Sequence, residues 1–159
     1  MKRKELKFLE KIVDKYNKSK DKKFYSLVGE PFTKEDVISG IKTLLSGRIT
    51  MSNITKKFES EFAKFVGSKY ALMVNSGSSA NLLALFSAIN PKNKKIFKVK
   101  DECLIPALCW STSLWPIVQA GLKPVFIDVD INNYNFDIKK LEKKITKKTK
   151  AIMAVHVLG

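Results

Sequence analysis

Apolar and polar positions along this chain change their spacing near residue 70. Before it, apolar residues recur at intervals of three and four, the period of helices lying on a core. Leu6, Leu9, Ile12, Val13 and Tyr16 share one face over residues 4–17. The polar run from Asn17 to Lys23 reads as a linker. Pro31-Phe32-Thr33 leads into a second helix, with Thr33 as N-cap, Asp36 at the capping-box position and Gly47 as its stop. Val37, Ile38, Ile41, Leu44 and Leu45 form its apolar stripe. Ser52 or Asn53 caps a third helix, on which Phe58, Phe62 and Phe65 share a face until Gly67. That aromatic spacing reads as core or interface packing.

Beyond residue 70, short apolar runs alternate with helical patterns. Tyr70–Val74 reads as a buried strand, followed by a helix over Ser79–Ile89 whose apolar face is Leu82, Leu83, Leu85, Phe86 and Ile89. Glu102–Ile105 reads as a second strand and Ser111–Ala120 as a helix that Gly121 stops. Pro116 is out of place in a helix interior, so the helix is expected to start near Ser113, where proline fits the first turn. Pro124–Val129, Ile138–Ile145 and Ala151–Val157 read as strand, helix and strand. Such alternation with short connections predicts an α/β fold, a mostly parallel sheet flanked by helices. Ligands in these sheets bind at the carboxyl ends of the strands. That places the turn at residues 75–81, the Pro106–Trp110 loop, Asp128-Val129-Asp130 and His156 along one edge. Gly159 follows the last strand with no helix to cover the sheet, so the expectation is the N-terminal portion of a larger protein.

Composition excludes several classes. The 159 residues are 45% hydrophobic and 10% aromatic, which is globular rather than disordered. No apolar run reaches the roughly 18 residues of a membrane span, and the charged N-terminus lacks the apolar stretch of a secretory signal. Cys103 and Cys109 form neither a metal-ligand spacing nor a disulfide framework, and a reducing cytoplasm is expected. The net charge of +15 invites a nucleic-acid reading, but 11 of those charges fall in residues 1–24 and 137–150. Only Arg3 and Arg48 are arginines, the residue suited to bidentate phosphate and base contacts. A solvated lysine-rich surface is the expectation, with no nucleic-acid partner.

The densest chemical signal is Asn75-Ser76-Gly77-Ser78-Ser79-Ala80-Asn81. A small, polar turn between strand and helix leaves backbone N–H groups unpaired at a helix start, a natural phosphate site. Gly77 there would permit an unusual backbone angle, and the serines add hydroxyls. The same residues also read as an ordinary serine-capped helix start. Trp110, at a loop–helix junction after a strand, reads either as a stacking platform for a flat ligand or as a packed core aromatic. Cys109 reads as a small buried residue, His156 as a structural hydrogen-bonding group, and Asp128 and Asp130 as loop-stabilising carboxylates.

Four ordered blocks, GSKYALMVNSGSSANLLAL, DECLIPALCWSTS, AGLKPVFIDVD and ITKKTKAIMAVHVLG, resemble the DegT/DnrJ/EryC1/StrS family of pyridoxal-phosphate sugar aminotransferases, of the aspartate-aminotransferase fold. Within it, SGSSANLLAL and PALCWSTS look closest to the nucleotide-sugar 3-dehydratases. The resemblance implies that residues 30–159 are the N-terminal portion of a cofactor-binding large domain, preceded by a helix and linker over residues 1–29. It implies that Gly77, Ser78 and Ser79 hold the phosphate of pyridoxal 5'-phosphate, or of its pyridoxamine form, and that Trp110 stacks on the ring. The lysine that bonds the cofactor in aminotransferases, replaced by histidine in the dehydratases, lies later in family members. No catalytic residue is therefore expected in this chain, and no metal. The implied partners are a nucleotide-linked keto sugar, an amino donor such as glutamate, and a second subunit in a homodimer. Transamination of a 4-keto sugar is the leading reading, with 3-dehydration of a 4-keto-6-deoxy sugar beside it. A non-catalytic basic binding module is the distant third.

Overall fold

The computed structural model describes residues 3–18, 32–93 and 97–157. They belong to two compact units, residues 1–73 and 74–159. Asn17 and Lys18, the start of the expected linker, belong to the first helix; the rest of that linker and the expected boundary between residues 29 and 30 lie outside the described residues.

In the first unit, α1 (Arg3–Lys18) packs on α2 (Lys34–Leu45), and α3 (Asn53–Phe65) follows. The chemistry that starts and stops α2 is the one its sequence announces. Thr33 accepts from the Asp36 N–H while the Asp36 carboxylate accepts from the Thr33 N–H at 2.8 Å, and Gly47 ends the turn at φ +69°. Val13 and Ile38 are buried, and Lys34 pairs with Asp14 at 3.1 Å. Ser52 caps α3, and Gly67 at φ +70° follows it. The aromatic face of α3 does not form a core within this unit. Phe58 and Phe62 stack at 5.6 Å yet stay about half exposed, and Phe65 is 87% exposed.

Tyr70–Val74 is not a strand. A strand exists only by pairing, and no described segment pairs with this one. Local partners serve its backbone instead: Ser68 Oγ donates to the Tyr70 carbonyl and the Met73 N–H donates to Glu59. Tyr70 and Leu72 are exposed rather than buried.

The second unit begins with α4 (Gly77–Ala88) and continues β1 (Glu102–Pro106), α5 (Ser111–Gln119), β2 (Lys123–Ile127), α6 (Ile138–Lys144) and β3 (Thr149–Ile152). The three strands form a parallel sheet in the order β2-β1-β3, with Glu102 opposite both Lys123 and Thr149. Central β1 is buried along its whole length. Cys103 and Ile105 on one of its faces pack with Leu85 of α4 and with Ile117, Ala120 and Leu122. Leu83 and Phe86, expected on the buried face of α4, remain partly exposed. The last strand is shorter than its apolar run, because pairing with β1 ends at Ile152. Helix α5 starts at Ser111, two residues before the start that Pro116 had suggested, and carries the proline in its interior.

The chain passes from β1 to β2 on one side and then crosses to β3 on the other. The direction of winding therefore reverses at β1, and the crevice at the carboxyl end of such a strand is where open parallel sheets bind ligands.

Candidate cofactor site

The loop leaving the carboxyl end of β1 leads through Cys109 and Trp110 into α5. Trp110 is the N-cap residue of α5 and is 74% exposed, so it is not a packed core aromatic. A large ring left in solvent at the mouth of a parallel sheet has a face free for a planar ligand.

Helix α4 brings the second element. Its N-cap is Ser76, whose hydroxyl accepts the Ser79 N–H at 3.2 Å and donates to the Ser79 hydroxyl at 3.2 Å. Ala80 N–H donates to the Ser76 carbonyl, the first bond of the helix. Helix geometry leaves the N–H groups of Gly77 and Ser78 without an intrahelical acceptor. Two amides at the positive end of the helix dipole are thus available to an anion. The Ser79 amide is occupied by the cap. Its hydroxyl, already accepting from Ser76, keeps its own proton to donate.

Gly77 does not adopt the unusual backbone angle expected of it. It is an ordinary first residue of a helix, and among the described glycines positive φ is confined to Gly47, Gly67 and Gly121. A Cβ built on Gly77 meets nothing within 4 Å. Glycine is therefore not required here by the fold, and the space beside its backbone is open to a ligand.

Ser78 and Ser79 line an open groove of about 310 Å³ with Leu82, Thr112, Trp115, Pro116 and Gln119. The start of α4 and one face of α5, from Thr112 to Gln119, thus share one cleft. Trp110 is not among its lining residues, while the half-exposed Trp115 is. Neither Thr112 nor Trp115 was singled out from sequence. Trp115 lies five residues past Trp110, and only the packing of α5 against α4 brings it beside the serines.

The other candidates are engaged elsewhere. Asp128, at the end of β2, pairs with Lys140 at 2.8 Å, and that hydrogen bond holds its carboxyl below the usual range. Asp130 accepts from the N–H and the side-chain amide of Asn132, closing its loop. Both carboxylates stabilise local structure, as their spacing suggested. Burial pushes the Cys103 thiol up to about 11 and raises that of Cys109, so neither is disposed to form a nucleophilic thiolate. His156 is exposed.

Comparison with known proteins gives this geometry a context. Residues 32–159 match the profile of the DegT/DnrJ/EryC1/StrS aminotransferase family. Over 123 residues, 75% of this chain and 31% of the relative, the sequence is 46% identical to GDP-4-keto-6-deoxy-D-mannose 3-dehydratase of Escherichia coli O55:H7. It is 36% identical over 118 residues to dTDP-3-amino-3,6-dideoxy-alpha-D-galactopyranose transaminase of Aneurinibacillus thermoaerophilus, covering 74% of this chain and 31% of that protein. A crystal structure of GDP-4-keto-6-deoxymannose-3-dehydratase with a trapped PLP-glutamate geminal diamine superimposes with a TM-score of 0.73 at 41% identity, over 80% of this chain and 33% of that one. The chain spans about a third of the length of the curated relatives it matches.

Proposed function

Because the chain belongs to the DegT/DnrJ/EryC1/StrS aminotransferase family, we propose that it supplies the phosphate and ring sites of a pyridoxal-phosphate enzyme acting on a nucleotide-linked keto sugar. Residues 30–159 are the first part of its cofactor-binding domain, and residues 1–29 are an N-terminal extension. The observation that carries the reading is the cleft shared by the start of α4 and one face of α5, with Trp110 exposed immediately before α5.

The residues fit such a group. Gly77 and Ser78 donate backbone N–H groups to a phosphate, Ser79 donates its hydroxyl, and the bare Gly77 lets the phosphate approach the backbone. Trp110 offers a ring face to the pyridine. When bound, the cofactor supplies an electron-withdrawing ring that stabilises negative charge developing beside the sugar carbonyl, and its aminated form supplies nitrogen. This chain orients that ring and anchors its phosphate. Asp128 is held by Lys140, and no residue here is assigned the proton transfer.

Transamination of a 4-keto sugar, with glutamate as amino donor, is the main reading; the transaminase relative carries out amino transfer within the family, at C3 of its own sugar. Removal of the 3-hydroxyl is the second, favoured by the 46% identity to a 3-dehydratase. The two stand level. The enzyme works as a cytoplasmic homodimer in this reading; no described helix is long and apolar enough to cross a membrane.

The test uses the protein expressed from its complete reading frame, with pyridoxal 5'-phosphate, glutamate and a GDP- or dTDP-linked 4-keto-6-deoxy sugar. Nuclear magnetic resonance of the product distinguishes an amino sugar with every other hydroxyl retained from a keto sugar that has lost its 3-hydroxyl. Absence of the cofactor's absorption band from the purified and reconstituted protein would refute both.

A further inference from the structure

Pro116 is the sixth residue of α5 and has no N–H to give the carbonyl of Thr112, four residues before it. That carbonyl is served from the neighbouring helix instead. Asn81 Nδ2 donates to Thr112 O at 3.3 Å in a part-buried position. Asn81 is five residues into α4, one turn beyond Gly77 and Ser78, and Thr112 is two residues beyond Trp110. The Ser113 N–H donates to the Trp110 carbonyl at 2.9 Å, which ties Trp110 to the same turn. A continuous path of helix backbone and hydrogen bonds therefore runs from the free amides of α4, through Asn81 and Thr112, to Trp110.

We propose that Asn81 is a positioning residue that fixes the start of α4 relative to Trp110, the two points at which a phosphorylated aromatic ligand would be held. The inference rests on the cofactor reading above and extends it to a residue that touches neither phosphate nor ring. The proline is part of the device. It removes the backbone donor that would otherwise satisfy Thr112 within α5, so the carbonyl makes its bond across the helix interface. A ligand gripped at two points gains from the second contact only while the two sites are held in alignment. Asn81 supplies that alignment.

The experiment uses the full-length protein and three probes without an aldehyde: 4-deoxypyridoxine 5'-phosphate, 4-deoxypyridoxine and inorganic phosphate. Asn81→Ala should weaken the phosphorylated ring by about ten- to a hundredfold while leaving its two halves bound as before. Pro116→Ala, added to Asn81→Ala, returns an N–H to the Thr112 carbonyl. It should recover the thermal midpoint without recovering affinity for the phosphorylated ring. Equal weakening of inorganic phosphate, recovery of affinity by Pro116→Ala, or unchanged binding in Asn81→Ala would each overturn the proposal. Should Asn81→Ala alone fail to fold, the double variant carries the same affinity comparison. A wild-type protein that binds none of the three probes would overturn the cofactor reading itself, before any variant is made.

Discussion

Ser76 Oγ meets both polar groups of Ser79, accepting from its N–H and donating to its hydroxyl, each at 3.2 Å. One side chain thereby caps α4 and leaves the Ser79 hydroxyl its own proton to donate. The cap leaves the two amides before it, those of Gly77 and Ser78, as the free donors of the turn.

The first prediction separates these two tasks of Ser76. Ser76→Ala removes the cap and should lower stability by about 0.5–2 kcal/mol. Ser76→Asp keeps a good capping acceptor and should stay close to wild type in its urea midpoint. It places a carboxylate beside the phosphate amides, however, and should weaken pyridoxal 5'-phosphate more than the alanine variant does. The reverse order of cofactor affinities would move the phosphate away from this turn.

Gly77→Ala gives the second. The residue has helical angles and open space around its Cβ position, so alanine fits the fold and should raise stability by about 0.4–1 kcal/mol. The added methyl occupies the approach to the backbone amides. Loss of one charge-assisted hydrogen bond corresponds to a cofactor affinity lowered on the order of tenfold to a hundredfold. A variant that gains stability and keeps full affinity shows that nothing approaches this backbone.

Trp110→Ala tests the ring platform. The side chain is 74% exposed, so little packing is lost and the unfolding midpoint should hardly move. Cofactor affinity should fall by about 0.5–1.5 kcal/mol, or roughly two- to tenfold, the value of one aromatic stacking contact. Trp115 lines the serine cleft where Trp110 does not. If Trp115→Ala carries the loss and Trp110→Ala none, the stacking role belongs to Trp115.

What the sequence revealed divides along local and non-local chemistry. Helix α2 was legible because Thr33, Asp36 and Gly47 act on the backbone within a turn of themselves. The start of α4 was legible as a serine-capped turn but was placed at Ser79, two residues late, because Ser76, Ser78 and Ser79 all offer a capping hydroxyl and only Ser76 takes that role. Tyr70–Val74 was misread because apolarity alone makes no strand; a partner must complete the ladder, and sequence does not say which segment that is. The start of α5 was misplaced because Asn81, 31 residues away, serves the carbonyl that Pro116 abandons. Trp115 stayed invisible because Ser78, Ser79 and Leu82, which complete its groove, come from another helix.

The last prediction concerns what holds the sheet that carries the site. Glu102 begins β1, is 8% exposed, and accepts from Thr146 Oγ1 at 2.7 Å and from Lys123 Nζ at 3.3 Å. It thus links the central strand to β2 and to the segment before β3. The Thr146 hydrogen bond holds its carboxyl below the ordinary value of 4.5, with Lys123 acting in the same sense and burial opposing both. A carboxyl depressed in the folded state favours folding most at pH values above its unfolded value. That contribution declines as pH falls through 4.5 and is lost once the folded group is also protonated. Glu102→Gln, unable to ionise, should therefore be less stable than wild type at pH 7, and the gap should narrow as pH falls below 4.5. Urea midpoints of the two proteins across that range provide the measurement. A gap that stayed constant, or widened toward acid, would show that the Glu102 charge does not stabilise the sheet.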